Sequence, residues 1–151
     1  MTRPSPAVRE ARPDDIDALL AIEAVFPTDR LERRAFRHAV ASPTIDVLVA
    51  DGDAGVLGYA LVQRRRNSRT ARLNSIAVTP GVAGRGLGRT LLEAAEAQAR
   101  AKGCTVLRLE VRADNKPART LYEKSGYRRF DVVEDYYEDG EAAWRYEKEL
   151  G

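Results

Sequence analysis

The stretch from Leu73 to Leu92 constrains this chain more than any other part of it. Leu73-Asn74-Ser75-Ile76-Ala77-Val78 reads as a strand, Thr79 to Gly88 as a glycine-rich turn, and Arg89-Thr90-Leu91-Leu92 as the start of an amphipathic helix. Glycines at 84, 86 and 88 let backbone N–H groups converge on one point with no Cβ in the way. The following helix aims its free first-turn N–H groups and the positive end of its dipole at that point. Arg85 and Arg89 add charge, so the turn suits a diphosphate.

Spacing narrows the choice of ligand. A dinucleotide fingerprint needs a glycine at the sixth position counted from Gly84, where Arg89 stands. A P-loop needs four residues between its glycines and then a lysine, but Gly84 and Gly88 are separated by three residues and Arg89 follows. What the run resembles is the acetyl-CoA loop of the Gcn5-related N-acetyltransferase (GNAT) family, (Gln/Arg)-x-x-Gly-x-(Gly/Ala). The loop lies here on Ala83-Gly84-Arg85-Gly86-Leu87-Gly88, with Ala83 in place of the family's opening Gln or Arg. The resemblance implies acetyl-CoA as cofactor, bound through Ala83, Gly84, Arg85, Gly86, Leu87, Gly88, Arg89 and Thr90.

A second segment carries the same resemblance. Asn115-Lys116-Pro117-Ala118-Arg119-Thr120-Leu121-Tyr122-Glu123-Lys124-Ser125-Gly126-Tyr127 is similar to the family's Asn-x-x-Ala-x-x-Leu-Tyr-x-x-x-Gly-(Phe/Tyr), with every fixed position present. Taken in order the chain reads β α α β β β α β α β β. Strands are expected at 8–11, 45–50, 56–62, 71–78, 106–111, 127–133 and 142–150. Helices are expected from Asp14-Asp15 to about Val25, from Asp29 to Ala41, after the glycine turn to Lys102-Gly103, and from Lys116 to Gly126. A strand, a crossover helix and a strand imply that 71–78 and 106–111 are parallel neighbours. That order is the family's own. The implied fold is an α/β (α+β) GNAT domain over 1–151, with one mixed, mostly antiparallel sheet of about seven strands and about four helices. Its central parallel pair is expected to splay around the cofactor. The last strand is expected at an exposed sheet edge, with the protein a monomer or homodimer.

Acetyl transfer requires an attacking amine to lose a proton, a carbonyl oxygen to gain charge and a thiolate to leave. Tyr122 resembles the family's tyrosine that protonates the thiolate; the half-buried inner face of its helix accounts for an aromatic there equally well. Leu107, Leu109 and Val111 alternate onto one side of their strand, which leaves Arg108, Glu110 and Arg112 on the other. Glu110, twelve positions before Tyr122, resembles the catalytic base of the bacterial ribosomal-protein alanine N-acetyltransferases. By the same resemblance Ile76, Ala77 and Val78 bond the pantetheine arm, and Asn115 and Ala118 lie against the cofactor near its thiol.

The acceptor is read from two places. Tyr136-Tyr137-Glu138-Asp139-Gly140-Glu141-Ala142 resembles the hairpin of protein N-terminal acetyltransferases, whose tyrosines grip the first residues of a polypeptide. Phe26, in the loop after the first helix, belongs to the other acceptor-selecting element. A protein α-amine is the leading acceptor, with a ribosomal protein the leading target. A small amine or lysine side chain is the alternative, and a non-catalytic acyl-CoA sensor is the reading of another class.

Bulk properties exclude several other roles. Twenty-five basic and 23 acidic side chains leave a formal charge of +2, so nothing in the charge balance proposes nucleic acid. The basic run Gln63 to Arg69 has no interleaved aromatic and reads as a solvated loop. The single cysteine, Cys104, forms no internal disulfide, and with His38 it cannot make a zinc site, so no metal is expected. No apolar run spans a bilayer, which makes the expected location cytoplasmic.

Overall fold

The structure is a computed structural model that describes residues 7–26, 30–53, 55–81 and 86–151. Seven strands form one sheet: β1 (Ala7–Glu10), β2 (Ile45–Gly52), β3 (Gly55–Arg64), β4 (Thr70–Val78), β5 (Val106–Arg112), β6 (Arg128–Val133) and β7 (Ala143–Glu149), in the order β1-β2-β3-β4-β5-β7-β6. Four helices accompany them: α1 (Ile16–Glu23), α2 (Arg33–Ala41), α3 (Leu87–Ala101) and α4 (Lys116–Lys124). Every neighbouring pair is antiparallel except β4 and β5, whose parallel register runs from Thr70 opposite Val106 to Leu73 opposite Leu109 and stops there.

Why the central pair stops is visible on its other side. Leu61 of β3 faces Ser75 while Val62 faces Leu73, so Asn74 is an extra residue on β4. Such a bulge bends the strand and adds twist, which carries residues 74–78 away from β5. It also resets the alternation of side chains. Ala71 and Leu73 point into the core layer under α3, and beyond the bulge Ile76 and Val78 return to that layer, while Ala77 joins the layer under α1 and α2.

Each face of the sheet has its own core. Leu87, Leu91, Leu92, Ala95 and Ala99 recur on one side of α3 and are buried against Leu48, Val62, Leu107 and Leu109. Ile16, Leu19 and Ile22 of α1, with Phe36 and Ala39 of α2, cover Val47, Val49, Tyr59 and Leu61 on the other face. Full burial of one such leucine is worth about 1.5–3 kcal/mol, so α3 is held by packing rather than by propensity.

Four details depart from the sequence-based expectations. The helix expected from Asp29 begins at Arg33, because Glu32 is extended and the Leu31 N–H is taken by the Glu23 carboxylate at 2.8 Å; Asp29 lies outside the described residues. The helix expected from Asp14 opens instead as a 3-10 turn, Pro13–Asp15. The last strand is not the edge: β7 is inserted between β5 and β6, and β6 occupies the edge. The sequence groups Glu96 with Glu93 and Arg100 on a polar side of α3 away from Leu91, Ala94, Ala95 and Ala99, but Glu96 is buried, where the Tyr127 hydroxyl donates to it at 2.8 Å and Lys148 pairs with it at 3.1 Å.

Candidate active site

Where β4 and β5 part, a cavity of about 590 Å³ opens. Its walls follow from the elements around the gap. Ile76, Ala77 and Val78 come from the bulged end of β4, Glu110 and Arg112 from β5, Asn115, Ala118 and Tyr122 from the start and inner face of α4, and Gly88 from the first turn of α3. Glu23 and Phe26 close the side under α1, and Tyr137 and Asp139 close the side of the β6–β7 connection.

At one end the backbone is arranged for an anion. Gly86 is the N-cap of the 15-residue helix α3 and has φ 73°, a left-handed conformation that favours glycine. Gly88 has no such backbone demand. A Cβ built on it would reach only Leu121, at 3.5 Å, an ordinary contact, so its missing side chain widens the cavity rather than relieving the fold. A phosphate-bearing cofactor fits this end: open space against first-turn N–H groups is what a diphosphate uses. Thr90 turns its hydroxyl back to the Gly86 carbonyl at 3.1 Å. Arg89, expected to add charge at the turn, pairs with Glu93 at 3.1 Å instead, and the Leu87 side chain is in the core. Ala83, Gly84 and Arg85 lie outside the described residues.

In the middle stand the two residues singled out for chemistry. Glu110 and Tyr122 line the same cavity, one from each wall of the gap. Tyr122 is buried, its ring edge-on to Tyr127 at 5.8 Å, and burial together with the nearby Tyr137 pushes its pKa up. Asn115 caps α4, its side-chain oxygen accepting from the Ala118 N–H at 3.2 Å. Glu110 is nearly buried, with Arg72 ion-paired to Oε1 and the Tyr136 hydroxyl donating to the same oxygen at 3.2 Å. Arg145 stands 3.8 Å from Oε2, which is buried without a hydrogen-bond partner.

At the far end two arginines organise the acceptor side. Arg112 holds Asp139 through two contacts, at 2.6 and 3.1 Å, and grips Asp114 at 3.1 Å. It also lies over the Tyr137 ring at 5.1 Å, and Tyr137 meets Tyr136 edge-to-face at 4.9 Å. The guanidinium holds the Asp139 carboxyl below its usual range. Tyr136 does not line the cavity but is tied to it through Glu110 and Arg72. Phe26 is partly exposed at the cavity rim.

Sequence reasoning missed Arg72, Arg112 and the burial of Glu23. Arg72 and Arg112 are two of many arginines, and nothing local marks them. Glu23 did carry a signal: it is a carboxylate in the apolar stripe Ile16, Leu19, Leu20, Glu23, a position that demands buried donors. Those donors are the Leu31 N–H and the Tyr59 hydroxyl, which accepts in turn from Ser75 at 2.7 Å. Burial and Glu23 push the Tyr59 pKa up.

A sheet split at a bulged strand, with a glycine-capped helix at one side of the split and a glutamate and a tyrosine within it, is the arrangement expected of an acyltransferase. Residues 13–127 match the profile of the acetyltransferase (GNAT) family, and the chain belongs to that family. It is an N-acetyltransferase. Its similarity reaches along most of the chain in individual relatives. A Bacillus subtilis protein provisionally named a ribosomal protein bS18-alanine N-acetyltransferase is 34% identical over 134 residues, covering 88% of this chain and 87% of the relative. An N-alpha-acetyltransferase of Saccharolobus solfataricus is 30% identical over 148 residues, covering 91% and 89%. The crystal structure of the ribosomal-protein-S18-alanine N-acetyltransferase from Escherichia coli superposes with a TM-score of 0.86 at 26% identity, covering 96% of this chain and 94% of that one.

Proposed function

We propose that the chain works as one catalytic domain that moves the acetyl group of acetyl-CoA onto the α-amine at the N-terminus of a polypeptide, a ribosomal protein being the leading target. The observation that carries this reading is the single cavity that has an anion-binding helix end on one side, Glu110 and Tyr122 inside it, and Phe26 and Tyr137 at the opposite rim. The named relatives act on ribosomal-protein alanine or α-amines, which supports the same acceptor.

Bound acetyl-CoA supplies an acetyl thioester whose thiolate is the leaving group. First-turn N–H groups from Gly86 to Thr90, with Ala83, Gly84 and Arg85, hold the diphosphate. Ile76, Ala77 and Val78, freed from β5 by the bulge at Asn74, present backbone groups to the pantetheine arm and an N–H to the carbonyl oxygen as it gains charge. Asn115 and Ala118 flank the arm near the sulfur. Glu110 takes the proton that the amine loses as its nitrogen bonds to the carbonyl carbon. Tyr122, whose raised pKa keeps it protonated, gives its hydroxyl proton to the departing sulfur. An α-amine, with pKa about 7.7–8.0, asks much less of that base than a lysine amine at about 10.4. Tyr136 and Tyr137, with Phe26, receive the first residues of the chain that carries the amine.

The test offers the enzyme acetyl-CoA with short peptides that have free or blocked N-termini, with polyamines and with free amino acids, and follows thiol release. Release with free-N-terminal peptides and not with blocked ones is the expected result. Release with small amines alone overturns the acceptor, and tight CoA binding with no release from any amine overturns the enzyme.

A further inference from the structure

Glu110 is more constrained than a proton acceptor needs to be. Its Oε1 is held by Arg72 Nη2 and by the Tyr136 hydroxyl, while the same Nη2 donates to that hydroxyl at 2.8 Å, so guanidinium, phenol and carboxylate close a ring. The other oxygen, Oε2, is buried and has no hydrogen-bond partner. Exposure differs sharply across the pair: the Glu110 side chain is 8% accessible and that of Arg72 is 49%.

An ion pair built for stability satisfies both carboxylate oxygens, since an unpaired buried lone pair costs part of what the pair gains. This one leaves Oε2 without a hydrogen bond, with the Arg145 guanidinium 3.8 Å away, and places the Arg72 cation half in water, where release exposes little that is not already solvated. The ring is also assembled at the seam of the site. Arg72 sits two residues before the bulge at Asn74, Glu110 is the first β5 residue past the parallel register, and Tyr136 lies between β6 and β7.

We propose that Arg72 is a resident cation that holds Glu110 and Tyr136 together until the acceptor takes its place, and that it thereby sets which acceptors are admitted. The inference rests on the α-amine reading above. A protonated α-amine is repelled while the guanidinium is in place. When Arg72 swings into solvent, one cation replaces another at Glu110 Oε1. Arg72 gives up two contacts in doing so. A polypeptide N-terminus replaces both, with its amine on Glu110 and its first backbone groups on Tyr136, whereas a simple alkylamine replaces only one. Arg72 is therefore a selectivity residue for peptides over small amines, not a catalytic residue.

The test measures kcat and KM for acetyl-CoA, for a short peptide with a free N-terminus and for a simple alkylamine in the wild type, Arg72→Gln and Arg72→Lys. Removing the charge lowers the peptide KM about fivefold and narrows the preference for peptide over alkylamine, because the competitor is gone. The KM for acetyl-CoA stays within about twofold and kcat does not rise, since the cation contacts the acceptor side only. Arg72→Lys falls between, keeping the charge on a shorter side chain with a compact, more strongly hydrated head. A peptide KM that stays put or climbs in Arg72→Gln, or a collapse of kcat there, overturns the inference while leaving the α-amine reading intact. A wild type that releases thiol with alkylamine and with no peptide overturns both.

Discussion

Two glutamate–tyrosine pairs stand beside the same cavity, and they differ in what is left over. In the first, Glu23 accepts from the Leu31 N–H and the Tyr59 hydroxyl, and Tyr59 accepts from Ser75, so each carboxylate oxygen and the phenol have a partner. In the second, Glu110 keeps a buried oxygen without a hydrogen bond, and Tyr122 lines the same cavity. A carboxylate closed by neutral donors joins elements together: Glu23 ties the start of α2 and strand β3 to α1. On the proposed function, a carboxylate with an oxygen lacking a hydrogen bond, beside a buried tyrosine in the cavity, is the pair kept for chemistry. Identical residue types would thus divide into framework and chemistry by their unmet bonds.

The sharpest way to break that contrast is to remove charge from the second pair. Glu110→Gln should lower kcat/KM for a free-N-terminal peptide by about 10²–10⁴ with little change in melting temperature. A loss below about threefold would dismiss it as the base. Next comes the first pair, where Glu23→Ala leaves a buried N–H and a buried hydroxyl unmet and should cost about 2–4 kcal/mol in denaturant unfolding. If stability holds and only turnover drops, Glu23 belongs with the chemistry and the contrast fails. Tyr122→Phe is smaller again: kcat should fall about ten- to a hundredfold while CoA affinity, read by calorimetry, is kept.

A pH titration sharpens the contrast from the stability side. Burial raises the pKa of Tyr59, Tyr122, Tyr127 and, to about 12, Tyr146. The folded chain holds these protons more tightly than the unfolded chain, so their contribution is complete below the unfolded value of about 10 and is lost as pH rises past it. Each such tyrosine should remove roughly 1.4 kcal/mol per pH unit above that point, measurable by urea unfolding between neutral and strongly alkaline pH. An unfolding free energy flat across that range would show that the hydroxyls are not buried as described.

Much of this was legible in the residues. The glycine-rich turn followed by a helical stripe, and the run from Asn115 to Tyr127, placed α3, α4 and the strand between them within a residue or two, because local periodicity and capping chemistry act within a turn of chain. Alternation along 106–112 was enough to put Glu110 on the face away from Leu107, Leu109 and Val111. What stayed hidden were contacts between distant segments. Arg72 and Tyr136 are 64 positions apart, and Arg112 and Asp139 are 27 apart. The edge position given to the last strand went wrong for the same reason, since hairpin order along the chain does not say which partner pairs outward.

By itself, the sequence determined the element order and the family, and it proposed the anion-binding turn and the two residues for acetyl transfer, since each depends on spacing within a short window. Only the tertiary structure decided that Asn74 is a bulge, that the bulge opens β4 from β5, that Glu23 is framework, and that Arg72 stands on Glu110. Those outcomes depend on which strands pair and in what register, and pairing is settled by the packing of the whole sheet rather than by any one segment.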